Sequence, residues 1–269
     1  MFRSLAPLLA LATFSCAQRP IGTLSARDLA MTSRPNEARA AIDPEDRDPK
    51  LLKLQEGMLL HQAGRWDESS LAWSHLNGEY PMHAPEKAML DRLAALNLLA
   101  TSQQESLLQQ VVPAVAAGLR PVPSDRASVV VLIERGWAPR LTTYSNPSDS
   151  KAEIVTILEQ PAPLAPVLVR LDAEKPVEAQ AGLDASAAWG DATLSRALRQ
   201  EESLKGSIAG VFQLWKTRDL WWSAPTALAV ALLETDPGRH VLMVPRARGY
   251  EERLVTLGPG QRLFVVDRQ

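Results

Sequence analysis

The chain changes character between residues 118 and 126, where Gly118, Pro121 and Pro123 interrupt it. Before that point the apolar residues are mostly alanine and leucine at helical spacing. After it they are valine and isoleucine in short runs separated by turn residues. Helices followed by strands define an α+β fold. Within the second half, Ser128-Val129-Val130-Val131-Leu132-Ile133-Glu134 reads as a strand of the fully buried type, ended by Gly136 and Pro139.

Asp48-Pro49 is a helix start, since an aspartate accepts from free first-turn amides and a proline at the first helical position loses no hydrogen bond. Leu51, Leu52, Met58, Leu59 and Ala63 follow at helical spacing, and Gly64 supplies a left-handed end. A second helix begins near Asp67 and carries Leu71, Ala72, Trp73 and Leu76. Residues 85–100 form a third, with Met89, Leu93, Leu96 and Ala100 on one side, and Ser102-Gln103-Gln104-Glu105 has the capping-box pattern of a fourth reaching about Ala117. Gly57, Leu60, Gly64, Trp66, Trp73 and Pro81, with Ser69 in a small-residue position, resemble a tetratricopeptide repeat. The resemblance implies stacked helical pairs with a concave partner-binding face, or, with so few repeats, a scaffold packed on the rest of the chain. It also puts Trp66 and Trp73 at core positions.

Further strands are expected at 153–158 and 167–172, then one helix, crossing beneath a sheet, within 185–213. Beyond it come strands at 219–222, 226–234, 239–244, 252–257 and 262–266. Pro225, Asp236-Pro237-Gly238 and Gly258-Pro259-Gly260 separate them, which suggests a mainly antiparallel sheet or sandwich. The final segment, 236–269, with Gly238-Arg239-His240-Val241, Arg248-Gly249-Tyr250-Glu251 and Gly258-Pro259-Gly260-Gln261, resembles the small β-module called the PEGA domain.

Arg3 and the apolar stretch 5–14 read as a secretory signal, and no later apolar run reaches the roughly 20 residues of a membrane helix. Thr13-Phe14-Ser15-Cys16-Ala17 resembles the bacterial lipoprotein signal, which implies that Cys16 is acylated and becomes the first residue. Small residues at Ser15 and Ala17 also permit an ordinary cut after Ala17, and an uncleaved start is the third alternative. Residues 1–15 are then the signal, 16–48 a tether containing Pro20, Gly22, Pro35 and Pro44, 49–120 the helical domain and 121–269 the β-rich domain.

A net charge of -2 offers no field for nucleic acid, and a single cysteine excludes an internal disulfide and any cysteine-cluster metal site. His61, His75, His83 and His240 have no metal spacing and read as structural or exposed residues, and Glu201-Glu202 and Glu251-Glu252 as solvated charge. With no nucleophile elbow or phosphate loop, neither catalytic residues, nor a metal, nor a cofactor are expected. Trp221 and Trp222, near Trp215, would face opposite sides of a strand, leaving one outward for a partner or a sugar ring. Glu134-Arg135-Gly136-Trp137-Ala138-Pro139, Arg218-Asp219-Leu220-Trp221-Trp222-Ser223-Ala224-Pro225 and Asp236-Pro237-Gly238-Arg239-His240 are similar to a family of bacterial envelope lipoproteins. That resemblance supports the address and the architecture, and the signal together with the absence of convergent catalytic groups points to an exported, lipid-anchored, non-enzymatic scaffold or accessory factor at the outer membrane or its periplasmic face, with envelope proteins as partners. The alternatives are a module binding wall or surface polysaccharide, and a hydrolase assembled from scattered residues.

Overall fold

A computed structural model describes residues 26–32, 34–42, 49–74, 76, 84–138, 140–145, 154–159, 165–184, 224–246 and 249–269. Strand β1 (Ala127–Arg135) is buried along nearly its whole length, as its unbroken apolar run requires, because both of its faces are covered. It is central in a sheet of order β10-β1-β7-β6, with β6 (Gln180–Asp184), β7 (Ala227–Thr235) and β10 (Arg262–Arg268). β7 runs antiparallel to β1 and to β6, whereas β10 runs parallel to β1 with Ser128 opposite Arg262 and Glu134 opposite Arg268. A second sheet, order β5-β4-β8-β9, comprises β4 (Leu168–Leu171), β5 (Val177–Glu178), β8 (Gly238–Arg246) and β9 (Gly249–Leu257), all antiparallel. β2 (Arg140–Ser145) and β3 (Ile154–Glu159) pair with each other in a separate antiparallel ribbon.

Alternation along β1 sorts the core into two layers. Val129, Val131 and Ile133, with Ala229, Ala231 and Leu233 of β7, meet Val169, Leu171, Leu242, Val244, Val255 and Leu257 of the second sheet. Val130 and Leu132, with Val230, Phe264 and Val266, meet the helices. The fold is thus α+β, with helices, a mixed sheet and an antiparallel sheet stacked as three layers.

The helical layer comprises α3 (Pro49–Gln62), α4 (Trp66–Ser74), α5 (Ala84–Ser102), a 3-10 turn at Glu105–Leu107, α6 (Leu108–Val111) and α7 (Pro113–Gly118). Gly64, at φ 72°, makes the tight exit from α3, and the backbone amide of Arg65 closes the turn on the carbonyl of Leu60. Leu54, Met58, Trp73, Leu93, Leu96 and Leu99 belong to the same apolar cluster as Val130 and Leu132, so helices and sheet share one core.

Three expectations need correction. The capping box at Ser102-Gln103-Gln104-Glu105 does not form. Ser102 Oγ donates back to the Leu98 carbonyl, Glu105 accepts from Arg262, and Gln103, at φ 58°, clamps the backbone of Phe264 through both side-chain amide atoms. That clamp occupies backbone groups on the outer edge of β10, an edge that would otherwise invite pairing. The helix expected to reach Ala117 is broken at Val112, where Pro113 starts a new turn and the break leaves both Val111 and Val112 in the core. The stretch expected to be an open tether contains α1 (Ala26–Met31) and α2 (Pro35–Ala40). Their Leu29, Ala30 and Ala38 pack on Leu59 of α3, so this part of the stretch belongs to the folded body. The crossing helix expected within 185–213 and the strand at 219–222 lie outside the described residues, and among the described residues no helix is long and apolar enough to cross a membrane.

Gly57 faces the Trp73 indole closely enough that an added Cβ would lie 2.2 Å from Nε1 and 2.5 Å from Cδ1. Trp73 is buried and its indole N–H donates to the Leu54 carbonyl at 3.3 Å, so the ring has little room to retreat. Gly57→Ala is therefore expected to cost about 1–3 kcal/mol of folding free energy, read as a lowered midpoint in urea denaturation with an unchanged slope.

Candidate functional site

Among the described residues, a connected set of buried polar side chains interrupts the apolar interface between the helices and the first sheet. Glu134 follows Val130 and Leu132 on the helix-facing side of β1 and is only 1% exposed. Its Oε2 lies 2.6 Å from Nε2 of His61 on α3, itself 2% exposed. The imidazole Nδ1 donates to Oδ1 of Asn97 on α5 at 2.6 Å, because an amide oxygen only accepts. The amide nitrogen of Asn97 donates to Ser69 Oγ at 3.0 Å and Ser70 Oγ at 3.2 Å on α4, and Ser69 Oγ donates to the Gly57 carbonyl at 2.8 Å. One hydrogen lies between His61 and Glu134, so both ring nitrogens are engaged. Trp66 stands edge-on to the imidazole at 5.1 Å and Trp73 lies tilted at 5.7 Å, which closes the histidine off from solvent.

Glu134 Oε1 is buried without a hydrogen-bond partner among the described residues. It borders a cavity of about 30 Å³ lined also by Arg92, Leu93, Leu96, Thr226 and Leu228. That volume suits a guest the size of water, not a substrate.

Beyond the C-terminal ends of β1 and β10 lies a larger groove of about 830 Å³. Its walls are Asn36 and Gln62 from the helices, Arg135 at the end of β1 and Trp137 just beyond it, Arg246 and Glu251 from the second sheet, and Arg268 at the end of β10 with Gln269 after it. Arg246 is neutralised. It pairs with both oxygens of Asp267 at 2.7 Å and with Glu251, while Arg253 reaches Glu251 at 2.7 Å and also bonds Asp267. These two carboxylates hold the Arg246 guanidinium charged far above any physiological pH, and the two arginines hold the Glu251 carboxyl below its ordinary range. Glu251, expected to be solvated, is 42% exposed and is also an ion-pair partner.

Sequence motifs could not reveal the histidine network, because its members are separated by 36 and 73 residues. The available signal was a polar residue where periodicity demands an apolar one: Asn97 between Leu96 and Leu98, and Glu134 closing an apolar strand. Cys16, Trp215, Trp221, Trp222, His75, His83, Glu201 and Glu202 lie outside the described residues. Among the described residues no three His, Cys, Asp or Glu side chains converge as a metal site. Compared with protein-family models, curated proteins and solved structures, the chain finds no match.

His240 on β8 binds Asp172, in the turn after β4, at 2.6 Å, and its other ring nitrogen donates to the Asp236 carbonyl at 2.9 Å. Asp172 in turn accepts the Val241 amide at 2.7 Å. The hydrogen bond to Asp172 raises the His240 pKa above 6.5, and the Val241 amide, with His240, lowers that of Asp172 below 3.8.

Two outcomes follow. His61→Ala leaves Glu134 buried without its partner and is expected to destabilise the fold by about 3–5 kcal/mol, with Glu134→Gln costing less because an amide still hydrogen-bonds, as urea denaturation would show. The pair of Asp172 and His240 contributes fully between the unfolded-state pKa values, from about 3.8 to 6.5. Its histidine contribution is lost as pH rises through the raised folded value, and its aspartate contribution as pH falls through the lowered one. Asp172→Asn should therefore flatten the decline of melting temperature on the alkaline side of pH 6.5.

Proposed function

We propose that the chain is a non-enzymatic accessory protein of the bacterial cell envelope, held at a membrane by lipid on Cys16 and acting by binding other envelope proteins. The observation that carries the non-catalytic part is the saturation of His61. Its two nitrogens are spent on Asn97 and Glu134 inside the interface, and the neighbouring hydroxyls of Ser69 and Ser70 face Asn97, not the imidazole. A general base needs a free nitrogen within reach of the proton it takes.

The tetratricopeptide-like reading of α3 and α4 draws support from Gly57 admitting Trp73 and from the left-handed Gly64. The inner side of these helices is spent on the sheet, so a partner would meet the outer side, where Leu71 of α4 and Leu98 of α5 are 62% and 48% exposed. With α1 starting at Ala26, the residues between Cys16 and the first helix are 17–25, nine in number, which reach at most about 30 Å. An anchored protein would therefore stay close to the membrane.

Intact mass of the protein from the native membrane fraction tests this reading. The expected species begins at Cys16 and carries acyl groups, and Cys16→Ser moves the protein to the soluble fraction. An unacylated chain beginning near Gln18 would remove the anchor.

A further inference from the structure

Three arginines line the 830 Å³ groove, and among the described residues one of them, Arg246, is bonded to carboxylates, those of Asp267 and Glu251. The Arg135 guanidinium is partly buried and has no hydrogen-bond or ion-pair partner among the described residues, and burial lowers its pKa with no carboxylate opposing the shift. Among the described residues the Arg268 guanidinium bonds to carbonyl oxygens, of Gly136 at 2.5 Å and Gln269 at 2.9 Å, and lies 4.6 Å from the centre of the Trp137 ring. Its Nε is buried without a partner, and withdrawal from water lowers its pKa to about 10 despite the fields of Glu134 and Asp267. A guanidinium withdrawn from water without a carboxylate bonded to it is costly, and two on one groove define a place where an anion is favoured.

The same groove holds an unanswered acceptor. Gln62 donates its amide nitrogen to the Ala30 carbonyl at 2.7 Å, which fixes the amide orientation, and its Oε1 is buried without a partner. A ligand that satisfies the groove therefore brings an anion for the arginines and a donor for Gln62. An ammonium donor would be repelled by the two guanidinium charges, and a phosphate dianion brings chiefly acceptors, so the fitting donor is a neutral hydroxyl. Glu251 does not cancel the positive field, because Arg246 and Arg253 already engage it. The volume lies in the range of sites that enclose small organic ligands.

We propose that this groove is a binding site for a hydroxylated carboxylic acid of the uronate class, its carboxylate held by Arg135 and Arg268 and a hydroxyl received by Gln62. The site does not depend on the anchor or on the protein partners proposed above.

The test is an NMR titration of the full chain, following the Trp137 indole N–H, assigned with Trp137→Phe. The probe is D-glucuronate, with glucose as its neutral counterpart and inorganic phosphate as a competing anion. The expected result is a saturable shift with glucuronate, none with glucose at equal concentration, weaker binding of phosphate, and binding at least about tenfold weaker in Arg135→Gln, the loss due to one charged hydrogen-bonding group. Denaturation midpoints verify that the variant is folded, and the comparison of the three probes stands without it. No saturable shift with glucuronate, equal binding of glucose or of phosphate, or an unchanged affinity in folded Arg135→Gln would overturn the proposal.

Discussion

The hydrogen bond between Glu134 and His61 is the constraint around which the layers are fitted. Apolar burial holds the helices on the sheet but has no direction, so many registers of Leu93, Leu96 and Leu99 against Val130 and Leu132 would bury similar area. A carboxylate on the covered face of a strand removes that freedom, since an unpaired buried charge costs far more than a slightly poorer apolar contact. The answer to it comes through a chain: His61 meets Glu134, Asn97 meets His61, Ser69 meets Asn97, and the Gly57 carbonyl closes the series. His61, Asn97 and Ser69 lie on α3, α5 and α4 in turn, and Gly57 returns the series to α3. One strand position thereby fixes α3, α4 and α5 together, which is the role in specificity that a buried polar network can play.

The opposite face of the first sheet solves a related problem with ions. Asp267 is 1% exposed and points between the sheets, where Arg246 and Arg253 of β8 and β9 meet it. The apolar sandwich of Val129, Val131, Leu171, Leu242 and Leu257 therefore ends in a polar closure. Counting the four charged residues at the ends of β1 and β10, Glu134 and Asp267 are answered by His61 and by two arginines, while Arg135 and Arg268 bond no carboxylate. The positive character of the groove follows from that imbalance and not from the net charge of the chain, which is -2.

What was legible in the sequence was whatever local pattern decides. β1, β4, β7 and the hairpin of β8 and β9 lie within a few residues of their expected positions, because β-branched runs and the turn residues around Asp236-Pro237-Gly238 determine them. β2, β5 and β6 carried too weak a signal: Arg140–Ser145 is largely polar, Val177–Glu178 spans two residues, and Gln180–Asp184 contains Gly182. The capping box failed through tertiary competition, since Gln103 gains two hydrogen bonds to Phe264, 161 residues away, that no local pattern announces. In α1 and α2, Leu29, Ala30 and Ala38 are too few to show a period, and their burial depends on Leu59 being in place. The last three strands, which resemble a single small module, divide between two sheets: β8 pairs with β9, whereas β10 leaves to flank β1.

That departure of β10 is what creates the groove and the ion closure together. Because β10 runs parallel to β1, the C-terminal ends of both strands lie side by side, with Ile133 opposite Asp267 and Glu134 opposite Arg268. Alternation then sends Asp267 toward Arg246 and Arg253 of the second sheet and Arg268 toward the helix-facing side, where its guanidinium lies against the Trp137 ring. An antiparallel β10 would have brought the Arg262 end there instead, and Arg262 is occupied elsewhere with Glu105 and the Arg120 carbonyl. Parallel pairing between strands more than 120 residues apart is entropically slow to form. Here it places two charged pairs, 134–135 and 267–268, at one edge of the sheet, where the helices and the second sheet both end.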